Sequence, residues 1–159
     1  MKKILYLSFY TALIMAVFMG CSSSKSVSTS YKPVQAPADK ALVYIYRSSS
    51  YAALIAMSVD LDNFQTGNFR TKNYYICLLD PGSHQIIAHA ENKSELNLQL
   101  EGGKTYYIEL QPKMGFAIAR CNLEINNSES DALKKVAKCK LIGINQPAKQ
   151  LLGDLPVSK

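Results

Sequence analysis

The chain has 159 residues, of which 48% are hydrophobic and 19% charged, so it has room for one modest core and is too apolar for a disordered or collagen-like protein. Its formal net charge is +6. Two of those six charges, Lys2 and Lys3, precede an N-terminal apolar run, and the remaining +4 is too small to indicate nucleic-acid binding.

The N-terminal residues have the layout of an export signal. Two lysines precede the apolar segment Ile4 to Met19, which ends at Gly20 and Cys21 and is followed by serines. The run is short for a membrane-spanning helix, which needs about 20 apolar residues. Gly20-Cys21 resembles the lipobox of bacterial lipoproteins, in which the thiol receives a diacylglycerol and the preceding peptide is removed. We expect a signal peptide over residues 1–20 and lipid, with palmitate among its acyl chains, on Cys21. The alternative is a secretory signal with an incidental cysteine.

The residues after Cys21 predict the location of the protein. Ser22, rather than an aspartate, follows the cysteine, and by resemblance to the sorting rule of Gram-negative lipoproteins this indicates the periplasmic face of the outer membrane. Residues 21–39 are rich in serine and contain prolines, a composition that does not bury enough surface to fold. They are predicted to be a flexible tether.

From Ala41 onward, short β-branched and aromatic runs alternate with turn residues at the spacing of a β-meander. We predict eight strands: Ala41 to Arg47, Met57 to Leu61, Phe64 to Phe69, Tyr74 to Leu79, His84 to Ala90, Glu95 to Leu100, Lys104 to Gln111 and Phe116 to Ile125. A helix should follow, with Ser128 as its N-cap and Asp131 completing a capping box. The predicted fold is an all-β, small antiparallel β-sandwich of seven to eight strands with one short C-terminal helix. This domain spans residues 40–142, and residues 143–159 are predicted to be an irregular tail.

The hairpin "LNLQLEGGKTYYIEL" predicts which residues face the core. A three-residue loop ending at Gly103 pairs Leu98 with Tyr106 and gives one apolar face, whereas a two-residue loop mixes a charge into it. We choose the three-residue loop, with Gly103 in the left-handed conformation. Tyr107 then points outward.

Between Lys40 and Ile142 the chain contains the segments "ALVYIYR", "VDLDN", "LLDPGSHQIIAHA", "LQLEGGKTYYIEL", "KMGFAIAR" and "AKCKL". Together these segments resemble an uncharacterised family of bacterial lipoproteins, a domain of unknown function that is itself similar to the PEGA-type β-sandwiches. The resemblance implies a small β-sandwich on a lipid tether. It brings no catalytic residues, because none are assigned in that family.

The sequence contains few candidates for chemistry. His84 and His89 are five residues apart on one strand, so they face opposite sides and do not share a metal. Cys77 and His84 would form a nucleophilic pair in one hairpin register only, and structural roles are the favoured interpretation. Asp60 and Asp62 lack the further ligands of a calcium loop. We therefore expect no metal and no cofactor.

Two further features have alternative interpretations. The first is a basic cluster of Lys134, Lys135, Lys138 and Lys140. It would either contact anionic lipid or polysaccharide, or complement the dipole of the predicted helix, and we favour the second interpretation. If Cys21 is acylated, Cys121 and Cys139 are the plausible disulfide pair, because Cys77 lies in the middle of a strand and an oxidising periplasm permits the bond.

Two apolar segments are the candidate recognition surface. They are "YAALIAM" and "MGFAIA", both flanked by basic residues, and they either pack on the sandwich or form a partner surface. The candidate surface residues are Leu54, Ile55, Met57, Phe116 and Ile118, with Tyr107 as a secondary residue for glycan stacking. The leading hypothesis is a membrane-anchored envelope lipoprotein that acts as a non-catalytic binding or structural module for a protein or glycan. The alternative is a periplasmic enzyme that uses Cys77 with His84.

Overall fold

The computed structural model describes residues 34–152, and this part of the chain forms nine strands and two helices. The strands are β1 (Ala41–Arg47), β2 (Met57–Leu61), β3 (Phe64–Phe69), β4 (Asn73–Leu79), β5 (Gly82–His89), β6 (Lys93–Leu100), β7 (Thr105–Met114), β8 (Ala119–Ile125) and β9 (Lys140–Ile144). The helices are α1 (Glu129–Val136) and α2 (Gln146–Leu152).

The strands form two packed sheets. A five-stranded sheet has the order β8-β7-β1-β4-β9, and a four-stranded sheet has the order β3-β2-β5-β6. Their inner faces enclose the main core, and both helices contribute to a second core on the outer face of the five-stranded sheet. The predicted all-β sandwich is confirmed. It has nine strands and two helices instead of seven to eight strands and one helix. It is also not wholly antiparallel, because β1 with β7 and β4 with β9 pair in parallel, and alternation does not show strand direction.

β1 is the central strand of the five-stranded sheet and is buried on both faces. It pairs antiparallel with β4 and parallel with β7. Val43 and Ile45 face the main core, whereas Tyr44 and Tyr46 face the helices. The strand sequence "ALVYIYR" is therefore a continuous apolar run without alternation, as expected of a strand that is covered on both sides.

The predicted pairing of β6 with β7 is wrong. β6 pairs with β5, where Leu98 lies opposite His84, and β7 belongs to the other sheet, where Ile108 pairs with β1. The connection at residues 101–104 crosses from one sheet to the other, with Gly103 in the predicted left-handed conformation at φ +75°. Alternation shows which face of a strand is buried but not which strand lies beside it, so the apolar match alone selected the wrong partner.

The C-terminal residues that we expected to be an irregular tail are structured as far as Leu152. β9 pairs parallel with β4 at the sheet edge, and the Asn145 side chain bonds both the backbone N–H and the carbonyl of Leu78. Ala148 of α2 is fully buried. The prediction missed β9 because five residues are too few for a clear period. Residues 153–159 lie outside the described residues.

The predicted signal peptide, Cys21 and most of the predicted tether also lie outside the described residues. Within residues 34–39, which we assigned to the tether, Val34 and Ala36 pack against the outer core. Residues 34–152 contain no helix that is long and apolar enough to cross a membrane.

The two ends of the sandwich carry different connections. One end, which we name the loop end, carries residues 48–56, 70–72, 90–92 and 115–118. The opposite end carries residues 62–63, 80–81 and 101–104. The described chain begins near the opposite end, where the Gly103 N–H donates to the carbonyls of Pro37 and Lys40.

Candidate functional site

Exposed apolar side chains concentrate at the loop end. Leu54 is 88% exposed in the β1–β2 connection, and Phe116 is 100% exposed in the β7–β8 loop. Met114 and Ile118 flank Phe116 and are exposed as well. We name residues 48–56 and 115–118 the apolar loops. Side chains of this size normally contribute to a core, so their exposure marks the loop end as a candidate contact surface.

Arg47 holds the first apolar loop from inside the protein. Its Nη1 donates to the carbonyls of Ile55 at 2.6 Å and Phe69 at 3.0 Å. Its Nη2 donates to the carbonyls of Tyr51 at 2.9 Å and Ala52 at 2.7 Å. Three of these four carbonyls belong to residues 48–56, so the Arg47 guanidinium alone holds the backbone of this loop at three points.

The environment of Arg47 is unusual for a charged group. The side chain is fully buried at the end of β1, and its partners are carbonyl dipoles, without a carboxylate among the described ion pairs. Its Nε has no hydrogen-bond partner among the described residues. Burial lowers the pKa of Arg47 from its ordinary value. A buried charge is retained at this cost because it satisfies backbone groups that would otherwise lack partners.

Glu91 holds the second apolar loop from the β5–β6 turn. Its carboxylate accepts from the backbone N–H of Phe116 at 2.9 Å and from those of Ala117 and Ile118 at 3.1 Å each. These three hydrogen bonds lower the pKa of Glu91, since they favour the ionised carboxylate. A Cβ at Gly115 would lie 2.3 Å from the Glu91 carboxylate, so glycine permits this approach.

The predicted surface residues divide between the loops and the core. Leu54, Phe116 and Ile118 are exposed, as a partner surface requires. Ile55 is half-buried against the main core, and Met57 is fully buried within it. Met57 is therefore not part of a surface, because it is the first residue of β2 and faces the opposing sheet.

Tyr107 is also not a surface residue. It is only 5% exposed, and its ring stacks on Tyr44 with 5.2 Å between centroids. Its hydroxyl donates to Glu129 at the start of α1. The prediction correctly placed Tyr107 away from the main core but did not account for the outer core, which covers that face.

The expected bond between Cys121 and Cys139 is not present in the structure. Both residues, like Cys77, are free thiols. Cys121 lies in the main core with its Sγ at 3.4 Å from the Ala88 carbonyl. Cys139 lies beside α1, which covers the other face of the sheet, with its Sγ at 3.3 Å from the Lys135 carbonyl. The five-stranded sheet separates the two thiols, so the short sequence separation did not bring them together.

Cys77 and His84 occupy very different environments. Cys77 is fully buried in the main core, with its thiol 3.7 Å from the Val43 carbonyl, and burial raises its pKa. His84 Nδ1 lies 2.5 Å from Asp62 Oδ2, and its Nε2 lies 2.9 Å from the Asp80 carbonyl. Asp62 therefore orients His84, an interaction that the sequence did not suggest.

The second histidine has its own acidic partner. His89 Nε2 lies 2.9 Å from Asp60 Oδ2, and this pair is separate from the His84 pair. Asp62 and Asn63 have positive φ values of 48° and 69° and close the β2–β3 hairpin, as the turn interpretation expected. Within residues 34–152, no group of three or more potential ligands is arranged for a metal ion.

Of the four lysines of the α1 region, Lys134 is exposed, and the other three lie in two different surroundings. Lys135 lies in an ion-paired network with Glu109 and Asp131. Lys138 and Lys140 instead line a groove at the loop end. The helix dipole accounts for the placement of the acidic residues at the start of α1, where the Asp131 N–H donates to Ser128 Oγ.

Sequence reasoning did not identify Arg47 and Glu91 as functional residues. Arg47 ends a strongly apolar strand, and a charge at that position indicates either a strand end or a buried group with backbone partners. Glu91 is separated from its partners by 25 to 27 residues, and a lone glutamate in a turn gives no sign of them. The only related signal is Gly115, which allows close approach of another group.

Comparison with known proteins places the chain among proteins without an assigned activity. The family described as "Protein of unknown function (DUF2846)" matches residues 37–129. An uncharacterised protein of Haemophilus influenzae is 29% identical over 97 residues, which are 60% of this chain and 57% of the relative. The match thus spans little more than half of that relative. The resemblance to lipoproteins and to PEGA-type sandwiches is not tested by these matches and stays a prediction.

Proposed function

Because this chain belongs to the DUF2846 family of proteins of unknown function, we propose that it is a lipid-anchored envelope protein whose β-sandwich is a non-catalytic binding module for another envelope protein. The observation that supports this proposal is the construction of the apolar loops. Their side chains are exposed, whereas their backbones are fixed by Arg47 and Glu91.

The fixed backbone matters because binding requires the ordering of flexible groups. A loop that is already held in one conformation loses less entropy when a partner binds, so more of the contact energy contributes to affinity. Large apolar side chains at the centre of an interface carry much of the binding energy. Phe116 and Leu54 are suited to this role because they protrude from loops that are already ordered.

A protein is the more suitable partner than a glycan. The aromatic residue that we had considered for glycan stacking, Tyr107, is buried. The exposed side chains around Phe116 are aliphatic, and Lys113 and Arg120 lie beside them in the sequence. These features fit a partner with an apolar pocket and an acidic rim.

The proposed anchor is supported by the sequence. Gly20-Cys21 follows a short apolar run and precedes serines, in the pattern of a lipobox. Residues 37–40 lie at the end of the sandwich opposite the apolar loops. Attachment to the outer membrane at the N-terminus would leave the loop end accessible to a periplasmic partner.

Site-specific crosslinking in cells tests the binding surface. A photoreactive amino acid replaces Leu54 or Phe116 in the full chain, and the adducts are identified by mass spectrometry. The matched control is Phe64, which is 79% exposed in the hairpin at the opposite end. We expect positions 54 and 116 to give the same discrete adduct and position 64 not to give it. Adducts that are the same from all three positions, or that are absent from both loop positions, would reject the surface.

The rival hypothesis of an enzyme that uses Cys77 requires an accessible thiolate of lowered pKa. The burial of Cys77 and the raised pKa of its thiol favour the non-catalytic proposal. Iodoacetamide labelling of the folded full chain near neutral pH distinguishes the two. We expect Cys77 to react much more slowly than a free cysteine, since burial keeps its thiol protonated and out of contact with the reagent. Rapid labelling of Cys77 would support the enzyme instead.

A further inference from the structure

A groove at the loop end carries a concentration of positive charge. Its volume is about 590 Å³, and it lies between the β3–β4 turn and the start of β9. Eight described residues line it, of which four are cationic and none is acidic. The four cations, which define the basic groove, are Arg70, Lys72, Lys138 and Lys140.

The sheet topology brings these cations together from distant parts of the chain. β9 pairs parallel with β4, so Lys140 lies opposite Asn73, and the Lys140 N–H donates to the Lys72 carbonyl at 2.7 Å. Lys72 has a φ of +54° in the turn that also contains Arg70. All four cationic residues are exposed, so their head groups are accessible from the solvent.

Several lysines elsewhere in the described chain have carboxylate partners, whereas the cations of the basic groove have none among the described residues. Four lysines elsewhere in the described chain form ion pairs with carboxylates; they are Lys40, Lys93, Lys104 and Lys135. The four groove cations form no ion pair with any residue between 34 and 152. Like charges in one groove repel each other unless an anion lies between them. The groove is therefore complementary to an anion of more than one charge.

We propose that the basic groove binds phosphate ester groups. A phosphate monoester carries about 1.5 to 2 negative charges at neutral pH and offers several acceptor oxygens. The Arg70 guanidinium can engage two of those oxygens with its planar fork, and the lysine ammonium groups supply further charge. A single carboxylate would neutralise only one of the four cations.

The remaining lining of the groove fits the organic part of such an ester. Ala53 and Ile142 contribute apolar surface beside the cations. The volume of about 590 Å³ greatly exceeds that of one phosphate and lies within the usual range of small-ligand sites. The same phosphate monoester chemistry is found in the headgroup of phosphatidic acid and in soluble phosphate monoesters.

This inference goes beyond the proposed function and does not depend on it. The cationic residues of the groove differ from Leu54 and Phe116, which form the protein contact. Loss of phosphate binding would leave the crosslinks from positions 54 and 116 in place, and loss of those crosslinks would leave phosphate binding in place.

Calorimetric titration of the full chain in neutral dodecyl maltoside micelles tests the groove. The two probes are inorganic phosphate and phosphatidic acid, a lipid with a phosphate monoester, incorporated into the micelles, with phosphatidylcholine as the zwitterionic reference. Arg70→Gln with Lys140→Gln removes two groove charges. Lys93→Gln with Lys134→Gln removes two exposed charges elsewhere and is the matched control. Two-dimensional NMR spectra of the backbone amides, compared with those of the unmodified protein, verify that both double variants are folded.

We expect saturable binding that the groove variant weakens about tenfold and the control variant leaves within twofold. Binding of both probes supports the shared phosphate chemistry. Binding of phosphatidic acid alone supports a lipid headgroup as the source, and binding of inorganic phosphate alone supports a soluble ester. Absence of saturable binding to either probe, or equal weakening by the two variants, would overturn the proposal.

Discussion

Arg47 shows how a single residue can determine the shape of a surface. Its guanidinium is fully buried and donates to four carbonyls, three of them in the β1–β2 connection. Desolvation of a guanidinium is unfavourable, and its charge-assisted hydrogen bonds offset that cost only while all acceptors stay in place. The loop conformation and the buried charge therefore depend on each other.

Removal of the Arg47 side chain should destabilise the fold. Arg47→Ala leaves four carbonyls without this donor and creates a cavity, so we expect the free energy of unfolding to fall by about 3 kcal/mol. Urea denaturation of the full chain measures the change. Arg120→Ala is the control, because Arg120 is an exposed arginine and should change stability by less than about 0.5 kcal/mol. Equal effects of the two variants would show that the Arg47 hydrogen bonds contribute nothing to stability.

His84 provides a pH-dependent contribution at the opposite end of the sandwich. Partial burial by itself lowers the pKa of His84, but the hydrogen bonds to Asp62 and to the Asp80 carbonyl outweigh it, so the pKa is raised. Both ring nitrogens face acceptors, which fits the charged imidazolium. Because the folded pKa exceeds the unfolded value, the added stability is fully present below about pH 6.5 and is lost as the pH rises through the folded pKa.

The predicted consequence concerns Asp62→Asn. This variant keeps an acceptor for the Gln85 N–H but removes the charge beside His84. We expect the stability advantage of the unmodified protein over this variant, measured by urea denaturation, to be larger at pH 5.5 than at pH 8.5. In a His84→Asn background, Asp62→Asn should have the same effect at both pH values. An advantage that grows with pH would contradict the raised pKa.

At the scale of elements, the sequence predicted strands better than it predicted their partners. The bounds of β1, β2 and β3 agree with the structure, because turn residues and apolar alternation are local signals. The parallel pairing of β1 with β7 joins residues more than 60 positions apart and leaves no local signal. Tyr107 illustrates the consequence. Its side of the sheet follows from alternation, but its burial depends on helices that pack there.

The candidate site was predictable to a similar extent. The two apolar segments were recognisable, and Leu54 and Phe116 lie on the surface. Arg47 and Glu91 fix the loops through hydrogen bonds to backbone atoms. Almost every residue type has these atoms, so the loop sequences give no sign of the bonds. The basic groove requires the pairing of β9 with β4, and β9 itself was not predicted.

β9 and α2 should be required for a stable domain. Truncation after Ile142 removes part of β9, both hydrogen bonds between Asn145 and Leu78, and the buried Ala148. It should also expose apolar residues of the outer core, so we expect a loss of several kcal/mol of stability. The comparison is truncation after Leu152, which removes only residues 153–159. The difference between the two urea midpoints measures the contribution of residues 143–152, and equal midpoints would contradict it.

At the scale of the whole molecule, the two ends of the sandwich differ in character. The loop end carries the exposed Leu54 and Phe116 as well as the basic groove. The opposite end carries hairpin turns, and residues 37–40 join the domain there. The proposed anchor at Cys21 and the proposed contact at the loop end therefore involve different parts of the chain and are tested separately.

Cys21→Ser tests the anchor without altering the β-sandwich. Two or three acyl chains, at about 0.8 kcal/mol for each buried methylene, hold a protein on a bilayer, and Cys21→Ser removes the thiol that would carry lipid. We expect the variant to lose incorporation of labelled palmitate and to keep the apolar residues 4–19 uncleaved, with the urea midpoint of its domain unchanged. Cys139→Ser is the matched control, because it removes a different, half-buried thiol and should retain both label and cleavage. Palmitate incorporation and cleavage that both persist in Cys21→Ser would show that this cysteine does not carry the lipid.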